Sequence, residues 1–525
     1  MDMAEYDVVV AGGGHNGLIV AAYLAKAGLS VCVVEKQEYV GGGVVTREVT
    51  LPGFKHDLGS LNHSVIHMNP LLERDELGLF SKYGLEYVFP EAPTALTFPD
   101  GRSIILYRDI DKMCATIEQF SRKDADTYRK IHDWGKKLLE MSFTGLFSGP
   151  PPLGPFFSVL EQSEEGQEMM RAMLMSGRDT ANEWFESDEA KMLATRFGAK
   201  SGMDPQVQGN GFSFIAFVPF FHKCGCGVPV GGSGVLSDLL AKCLEDDGGT
   251  IRTSSTVKRF KVEGGEAKGV ILDSGEEILA KRAVVTNLSI RQLPGMLDEG
   301  DLPPGFASRV NRLLPSCHSP LVMHLALNEA PNYGEGSELN KVWYVMPVPA
   351  TTEQYYRGFD GFKYGEPAVD FGLAGCSTIY DPSRAPEGKH TLYLFHFEPY
   401  NLKGGAERWD EVKDEVAKGV LEDLRKHTTN MGDENILGKC IFSPYDFARY
   451  NPAWVQGDHG HIGAFFHQTF AMRPIFGWGQ YRMPPEKLYL CGPSAHPGGG
   501  VTGGSRSTAI VIMEDLGIDF EKIIK

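Results

Sequence analysis

The 525-residue sequence lacks the features that mark several common classes of protein. Its nine cysteines include no CxxC pair, which favours reduced thiols in a cytoplasmic chain over a secreted disulfide framework. Its 51 basic residues form no run and face 68 acidic ones, which argues against nucleic acid as a partner. Its apolar runs, such as 212–221, fall short of the ~18 residues that a membrane-spanning helix needs. We therefore expect a cytoplasmic globular protein, long enough for two or more domains at about 100–200 residues each.

One segment, 142–160, contains no charged residue at all. Its four prolines, at 150, 151, 152 and 155, prevent a single continuous helix. The segment is therefore either a packed loop or an apolar surface element. In the second case it would contact a membrane peripherally or gate an apolar tunnel.

Glycine is abundant, with 62 residues, and its first cluster lies between two predicted strands. Residues 6–11 and 30–35 are apolar and predict strands, and residues 17–27 predict a helix that ends at Gly28. Such a βαβ unit is typical of a parallel sheet covered on both faces.

Gly12, Gly14 and Gly17 form a GxGxxG pattern after the first strand, and Glu35 ends the second. This is the dinucleotide fingerprint, in which the glycines permit a tight turn, an approach to pyrophosphate and close packing of the helix. The N-terminus of the helix offers N–H groups to the anion. Glu35 can accept hydrogen bonds from an adenosine ribose.

Sheet signals recur in the middle and at the end of the chain. Residues 258–285 predict a three-stranded meander, and residues 488–491 predict a strand before a Gly-rich turn and a helix. Helical patterns begin near residue 109. We therefore predict an α/β fold with a discontinuous Rossmann-like cofactor domain and an inserted α+β substrate domain that has a helical part. The first would comprise 1–105, 225–300 and 480–525, and the second 106–224 and 301–479.

A second glycine turn, at Gly41, Gly42 and Gly43, favours FAD over NAD as the dinucleotide. Many FAD enzymes carry a GG pair at this place, which a plain NAD dehydrogenase does not need. With this turn the sequence resembles the two-dinucleotide-binding-motif flavoproteins. Among them it is similar to the phytoene desaturase-like group, which includes carotenoid isomerases and the pyridine nucleotide-disulfide oxidoreductase domain 2 type. Those proteins usually carry Arg where this chain has Gly43.

Three further blocks resemble the same group. Residues 53–60 resemble its GF..D.G stretch near the flavin, residues 229–236 its P.GG.G.L turn, with 255–257 as the strand at the adenine, and residues 488–504 its LYL.G...HPG.G motif. The resemblance implies an amine oxidase/phytoene desaturase-like fold whose Rossmann-like domain binds FAD. It implies the following cofactor-binding residues: Gly12, Gly14, His15, Asn16, Gly17, Glu35, Lys36, Gly42, Gly43, Val44, Gly59, Ser60, Val257, Gly492, Gly499, Gly500 and Val501.

The C-terminal block contains a second GxGxxG pattern, but no complete βαβ unit follows it, so a second nucleotide site is not predicted. We expect its helix to direct N–H groups at the N1/C2=O edge of the flavin, which would favour the reduced cofactor. His496 precedes the turn and is either a catalytic residue near the ring or a structural histidine.

Several absences narrow the reaction. No CxxxxC follows the first motif, Ser494 stands where aromatic hydroxylases have Asp, and a complete NAD(P)H-binding unit is missing. We therefore expect a hydride to pass from a carbon centre of a largely apolar organic substrate to flavin N5, with oxygen or a quinone-like acceptor taking the electrons. One alternative is a flavin amine or alcohol oxidase on a smaller polar substrate. Another is a redox-silent flavoprotein that acts through a protein partner.

The remaining polar clusters are weaker candidates. His63, after the flavin-approaching loop, and His461, on the expected substrate side, are candidates for acid–base work together with His496. The HKCGC stretch at 222–226 cannot close a tetrahedral site alone, and no metal is predicted. The aromatic run 212–221 is either ordinary core or the wall of an apolar substrate pocket.

Overall fold

The computed structural model describes residues 4–200, 202–369 and 372–525, except for the side chains of residue 138 and of residues 140–144. Two seven-stranded sheets organise these residues. Strands and helices are numbered here in chain order.

The first sheet combines strands from both ends of the chain and from its middle. They are β1 (Ala4–Ala11), β2 (Val31–Val34), β9 (Thr250–Arg252), β10 (Val257–Glu263), β11 (Glu266–Leu272), β12 (Glu277–Thr286) and β18 (Leu488–Leu490). Parallel pairing joins β9, β2, β1, β12 and β18 in that order. Antiparallel pairing adds β11 and β10 beside the first half of β12. The predicted parallel sheet and the predicted meander therefore form one continuous sheet.

The strand expected over 250–255 is shorter than predicted. It ends at Arg252 because the backbone of Ser254 turns away with a φ of 50°. The N–H of Ser254 donates instead to the carbonyl of Gln37 at 2.8 Å, and that of Ser255 donates to the carbonyl of Glu35 at 2.8 Å. The chain is thereby held beside the end of β2 before β10 begins.

The second sheet is mainly antiparallel. Its order is β17-β13-β16-β15-β14-β6-β7, and only β6 and β14 pair in parallel. Its strands are β6 (Thr94–Thr97), β7 (Ser103–Leu106), β13 (Ser319–Leu327), β14 (Tyr344–Pro347), β15 (Leu373–Gly375), β16 (His390–Glu398) and β17 (Ile436–Phe442). Two short ladders pair β3 (Thr46–Arg47) with β4 (His56–Asp57), and β5 (Tyr87–Val88) with β8 (Val228–Pro229).

The expected domain boundary at 105/106 does not coincide with the change from one sheet to the other. Strands β6 and β7, which lie before it, belong to the second sheet because β6 pairs with β14. The division into two domains remains a prediction. The sheets locate its first boundary nearer residue 94.

Three helices pack together on the first sheet, namely α1 (His15–Lys26), α10 (Gly234–Asp246) and α15 (Ser505–Asp515). Every residue of α1 from His15 to Ala25 is buried. This explains its sequence, which is apolar on all sides rather than along one stripe. Helix α1 begins two residues earlier than the pattern predicts, because Gly14 already serves as its N-cap.

A layer of helices covers the second sheet and shares a core with it. These helices are α3 (Ile110–Glu118), α4 (Arg122–Leu146), α5 (Leu153–Leu160), α6 (Glu164–Leu174), α7 (Gly177–Trp184), α8 (Asp188–Ala199), α9 (Phe212–Cys224) and α12 (Thr352–Phe362). The aromatic run 212–221 thus belongs to α9. The shorter or separate helices are α2 (Pro70–Glu73), α11 (Phe306–Asn311), α13 (Trp409–Arg425), α14 (Pro444–Tyr450) and α16 (Phe520–Ile523).

The uncharged segment 142–160 is not one helix, as its prolines predict. Helix α4 ends at Leu146 and α5 begins at Leu153. On α5, the rings of Phe156 and Phe157 pack against those of Phe470 and Phe466, with centroids 5.8 and 6.2 Å apart. The side chains of residues 142–144 lie outside the described part, and membrane contact through this segment stays a prediction. No helix in the described ranges has the length and apolar content needed to cross a bilayer.

Candidate functional site

Four parallel strands of the first sheet end in register. Ala11 of β1 pairs with Val34 of β2 and with Thr286 of β12, and Thr286 pairs with Leu490 of β18. In open α/β sheets, ligands bind just beyond the carboxyl ends of the strands. The residues that come next along the chain are therefore placed to meet a ligand: Gly12, Glu35, Asn287, Cys491 and Gly492.

A cavity of about 820 Å³ lies at this edge. Most of the predicted cofactor residues line it: Gly12, Gly14, His15, Asn16, Glu35, Lys36, Gly42, Gly43, Val44, Gly59, Ser60, Val257, Gly499, Gly500 and Val501. Gly17 and Gly492 are not part of the lining formed by the described residues. Both lie one step behind it, where Gly17 contacts the first turn and the N–H of Gly492 donates to Oγ of Ser505 at 3.3 Å.

The first glycine turn has the geometry that its pattern predicts. Gly12 has a φ of +98°, which strains any residue with a side chain. A Cβ added to Gly17 would lie 2.3 Å from the carbonyl oxygen of Gly12, so α1 can begin this close to the turn only with glycine there. Gly14 is the N-cap of α1, and no described side chain caps this helix. Its N-terminus is thus open to an anion such as pyrophosphate.

Glu35 is held rigidly beside the first turn. Its Oε2 accepts the N–H of Gly13 at 2.7 Å, and its Oε1 accepts that of Gln37 at 2.8 Å. Burial raises the pKa of Glu35, and these hydrogen bonds to its charged form oppose the rise. The neighbouring stretch 255–258 follows β9 and lines the same end of the cavity. A fixed carboxylate at this place fits the hydroxyls of an adenosine ribose.

The second glycine turn packs directly on the first. The N–H of Gly41 donates to the carbonyl of Gly13 at 2.8 Å. A Cβ on Gly59 would lie 2.5 Å from the carbonyl oxygen of Gly43, so the loop that follows also requires glycine. A Cβ on Gly43 would lie 3.0 Å from the ring of Trp454. Trp454 therefore lies next to the position at which the resembling proteins usually carry Arg.

His15 and Asn16 connect the first turn to the C-terminal loop. The Oδ1 of Asn16 accepts the hydroxyl of Ser505 at 3.0 Å, which ties the beginning of α15 to the beginning of α1. Burial lowers the pKa of His15 to about 4, although hydrogen bonds to the backbone of Gly41 and Gly500 oppose this. The imidazole is therefore neutral at neutral pH. The N-termini of α1 and α15 thus approach the same cavity, as FAD would require.

The three predicted catalytic histidines occupy different environments. His461 lines the cavity, its Nδ1 is 3.1 Å from Oγ of Ser494, and burial lowers its pKa to about 3. Within the described residues, the cavity lining includes neither His63 nor His496. His63 is fully buried between Oη of Tyr87, at 2.7 Å, and Oγ of Ser233, at 3.2 Å. It fastens the flavin-approaching loop to the chain near β8.

His496 has the structural arrangement among the two that its position allowed. Its Nε2 donates to the carbonyl of Gly145 at 3.0 Å, and burial lowers its pKa to about 4. The hydrogen bond joins the C-terminal loop to the end of α4. We carry neither His63 nor His496 forward as a catalytic group.

The far end of the cavity has a different composition. Four aromatic side chains line it, from α9, β14 and β16: Phe217, Tyr344, Tyr393 and Phe395. Lys200, which follows α8, and Asn62, which follows the Gly59–Ser60 pair, line it as well. Tyr344 Oη lies 3.1 Å from Nζ of Lys200 and 3.4 Å from Nδ2 of Asn62. This substrate end is an aromatic chamber with one polar group of connected side chains.

Sequence reasoning reached little of this substrate end. The run 212–221 indicated Phe217, but no pattern indicated Lys200, Tyr344, Tyr393 or Phe395. Asn287 was also missed; its Nδ2 donates to the carbonyl of Gly12 at 3.3 Å and it lines the cavity. A signal for Asn287 did exist, because it directly follows an apolar strand of the predicted parallel sheet.

The HKCGC stretch has an ordinary structural arrangement. The Nε2 of His222 lies 3.0 Å from the hydroxyl of Tyr128, and its Nδ1 lies 2.7 Å from the carbonyl of Arg108. Both ring nitrogens of His222 are therefore already occupied. Asp458 in the later cluster accepts the N–H and hydroxyl of Ser316 at 2.8 and 2.9 Å, which holds the loop that carries His461.

The chain is similar over nearly its whole length to curated oxidoreductases. It is 29% identical to pyridine nucleotide-disulfide oxidoreductase domain-containing protein 2 of Rattus norvegicus, covering 98% of this chain and 94% of that protein. It is 25% identical to a limonene dehydrogenase polypeptide of Castellaniella defragrans, covering 99% and 96%. It is 24% identical to the lycopene-forming phytoene desaturase of Pantoea ananas, covering 97% and 99%. The predicted resemblance is confirmed.

Solved structures confirm the predicted fold class. Cyclohexylamine oxidase from Brevibacterium oxydans superposes with a TM-score of 0.61 at 18% identity, covering 98% of this chain and 99% of that one. The family model described as flavin containing amine oxidoreductase matches residues 17–507. With its glycine turns, its fixed ribose carboxylate and two helix N-termini around one cavity, the chain belongs to the flavin containing amine oxidoreductases and is an FAD-dependent oxidoreductase.

Proposed function

We propose that the protein is a dehydrogenase, desaturase or oxidase that removes a hydride from a carbon centre of a largely apolar organic substrate. The hydride goes to N5 of FAD, and oxygen or a quinone-like compound accepts the electrons afterwards. When bound, FAD supplies the two-electron chemistry. The residues of the chain bind and orient the two reactants and keep water away from the reacting carbon.

The residues that line the cavity would hold FAD in three parts. Glu35, Lys36 and Val257 would bind the adenosine, and the N-terminus of α1 with Gly12 and Gly14 would bind the pyrophosphate. The isoalloxazine would lie between Gly59–Ser60 and the loop 499–501. The N-terminus of α15, just beyond that loop, would stabilise negative charge on the reduced ring.

The charge distribution of the cavity supports an uncharged carbon substrate. Glu35 and Asp273 are the acidic side chains in the lining formed by the described residues. Both lie at the adenosine end, because the N–H of Asp273 donates to the carbonyl of Thr256 at 3.0 Å, and 255–258 lies beside Glu35. The substrate end offers aromatic faces and a lysine instead. Such a lining binds hydrocarbon well and gives a protonated amine no carboxylate partner.

The named activities of two relatives agree with this proposal. Limonene dehydrogenase and phytoene desaturase are both named for hydrocarbon substrates. The cyclohexylamine oxidase and putrescine oxidase structures are similar to this chain in fold only. The amine or alcohol oxidase is therefore our second candidate, without a residue in the cavity that specifically favours it.

An anaerobic reduction screen tests the proposal. The FAD-loaded protein is mixed without oxygen with a carotenoid-like polyene, a cyclic terpene, a primary amine and a primary alcohol, and the flavin absorbance is followed. We expect bleaching by a polyene or terpene, followed by recovery of the absorbance when oxygen or a quinone is added. Bleaching by the amine or alcohol alone would replace the proposal with the second candidate. Bleaching only by NADPH would show that the enzyme works in the direction of reduction.

A further inference from the structure

Lys200 is the cationic side chain at the substrate end of the cavity. It follows α8 directly, and its Nζ lies 4.4 Å from the ring centroid of Phe197 and 4.8 Å from that of Tyr344. It donates to Oη of Tyr344 at 3.1 Å. No acidic side chain among the described residues forms an ion pair with it. Lys200 therefore differs from a structural lysine, which would be paired or solvated.

The surroundings of Lys200 favour its neutral amine. Loss of water around Nζ lowers the pKa of Lys200 to about 7, Arg196 lowers it further, and Cys226 opposes the shift. At neutral pH the amine and the ammonium are thus both populated. A group whose pKa is close to the working pH can both take up and release a proton efficiently.

A short chain of contacts connects Lys200 to the predicted flavin loop. Oη of Tyr344 accepts hydrogen bonds from Lys200, at 3.1 Å, and from Nδ2 of Asn62, at 3.4 Å. Asn62 comes two residues after Ser60, and all of these residues line the same cavity. Sγ of Cys226 lies 3.7 Å from the same hydroxyl. These contacts orient the amine toward the chamber in which the substrate would meet the flavin.

We propose that Lys200 is the proton acceptor of the oxidation, with Tyr344 as its positioning residue. This inference rests on the proposed function. One C–H bond of the substrate breaks and its electron pair leaves as hydride to FAD, which is reduced by two electrons. The neighbouring C–H or heteroatom–H bond breaks, its electron pair forms the new double bond, and its proton forms an N–H bond on the neutral amine. After the product leaves, the ammonium returns this proton to water.

The tests use three substitutions on the FAD-loaded full chain. Lys200→Met removes the amine at similar length, Lys200→Arg keeps a cation that cannot accept a proton, and Lys191→Met is the control. Lys191 lies on the same helix and faces Asp188 at 3.8 Å, away from the cavity lining. An unchanged flavin spectrum verifies that each variant is folded and loaded.

The first readout is the rate of anaerobic flavin reduction by the substrate that the screen identifies. For the wild type we expect a rate that rises with pH with a midpoint near 7. Both Lys200 variants should lose that midpoint and react about 10²- to 10⁴-fold more slowly, which is the usual contribution of a general base. Small primary amines added to Lys200→Met should restore part of the rate, and Lys191→Met should match the wild type.

The second readout does not depend on activity. Lys200 and Lys191 compete for acetic anhydride over a pH series, and mass spectrometry measures the labelled fraction of each. We expect a midpoint for Lys200 near 7. A Lys200 midpoint near ~10, the ordinary lysine value, would overturn the proposal.

The outcomes separate the two proposals. If wild-type flavin is reduced and Lys200→Met reacts at the same rate with the same pH profile, the role of Lys200 is overturned and the proposed function stands. If no compound in the screen reduces the flavin, the proposed function fails and the role of Lys200 fails with it.

Discussion

The two ends of the cavity are built in opposite ways. The dinucleotide end is formed mainly by backbone, from short segments at 12–17 and 35–44 that are close together in the chain. The substrate end is formed by side chains from distant elements, namely α8, α9, β14 and β16. The first end has to fit a cofactor common to many enzymes, whereas the second has to fit a particular substrate. We therefore expect the two ends to respond differently to substitution.

The dinucleotide end should fail abruptly, because backbone packed on backbone has nowhere to move. An added methyl group there meets a carbonyl oxygen at 2.3 to 2.5 Å, at Gly17 and Gly59. Side chains at the substrate end can adopt other rotamers, so changes in volume there should shift affinity gradually. The predictions below test this difference, beginning with the largest effect.

Gly17→Ala should abolish FAD retention. The new Cβ would lie 2.3 Å from the carbonyl oxygen of Gly12, so either the turn or the helix must shift. Overpacking of this kind costs about 1–3 kcal/mol or more, and here the displaced atoms are those that would approach the pyrophosphate. The measurement is the ratio of FAD to protein after purification, with the temperature of unfolding.

Gly154→Ala on α5 is the matched control, because a Cβ there meets nothing within 4 Å. It should keep its FAD and its unfolding temperature. If Gly17→Ala also retained FAD at the wild-type ratio, the backbone would be more adaptable than this comparison assumes.

Glu35→Gln should weaken FAD binding by about tenfold or more while leaving the fold intact. The carboxylate accepts hydrogen bonds from two backbone N–H groups, and hydrogen bonds to charged groups contribute roughly 1.5–3 kcal/mol. The neutral amide loses that charge and has only one acceptor oxygen. Titration of the FAD-free protein with FAD measures the dissociation constant, and the exposed Glu38→Gln is the control. Equal affinity in both variants would remove Glu35 from the site.

The contrast between the two ends also determined what could be predicted from the sequence. The turns at Gly12–Gly17 and Gly41–Gly43 are local, since the backbone conformation of a few residues depends mostly on those residues. Their spacing from the predicted strands placed them at one edge of the sheet. The parallel sheet, the meander and the FAD cofactor could therefore be predicted before any coordinates were known.

The substrate end could not be predicted in this way. Lys200 and Tyr344 lie 144 residues apart in the chain, and their contact depends on how α8 packs against the second sheet. Nothing in the sequence around Lys200 distinguishes it from an ordinary lysine at the end of a helix. The pairing of β6 with β14 was equally hidden, because parallel pairing of distant strands leaves no local pattern. For the same reason, His63 and His496 gave no sign of lying behind the cavity rather than on it.

Phe395→Leu should weaken binding of an apolar substrate by roughly tenfold and leave FAD retention unchanged. Phe395 lines the cavity, and its ring stacks with that of Tyr393 at a centroid distance of 6.2 Å. The smaller side chain loses the ring contact but keeps an apolar surface, so the expected cost is about 1–1.5 kcal/mol. The dependence of flavin reduction rate on substrate concentration measures it. Phe476→Leu, at a ring that is 73% exposed, is the control and should behave as wild type. Loss of FAD in Phe395→Leu would show that the two ends are not independent.

The smallest expected effect concerns a residue behind both ends. Burial lowers the pKa of His496 to about 4, whereas an unfolded chain has a histidine pKa near ~6.5. Between these values the unfolded chain binds a proton that the folded chain does not, so the free energy of unfolding falls as the pH is lowered from 6.5 to 4. His496→Gln can still donate to the carbonyl of Gly145 but cannot titrate. Urea unfolding over this pH range should therefore give a shallower slope, by at most one proton, than in the wild type. The exposed His467→Gln should keep the wild-type slope, and an identical slope in His496→Gln would mean that His496 is protonated in the folded chain.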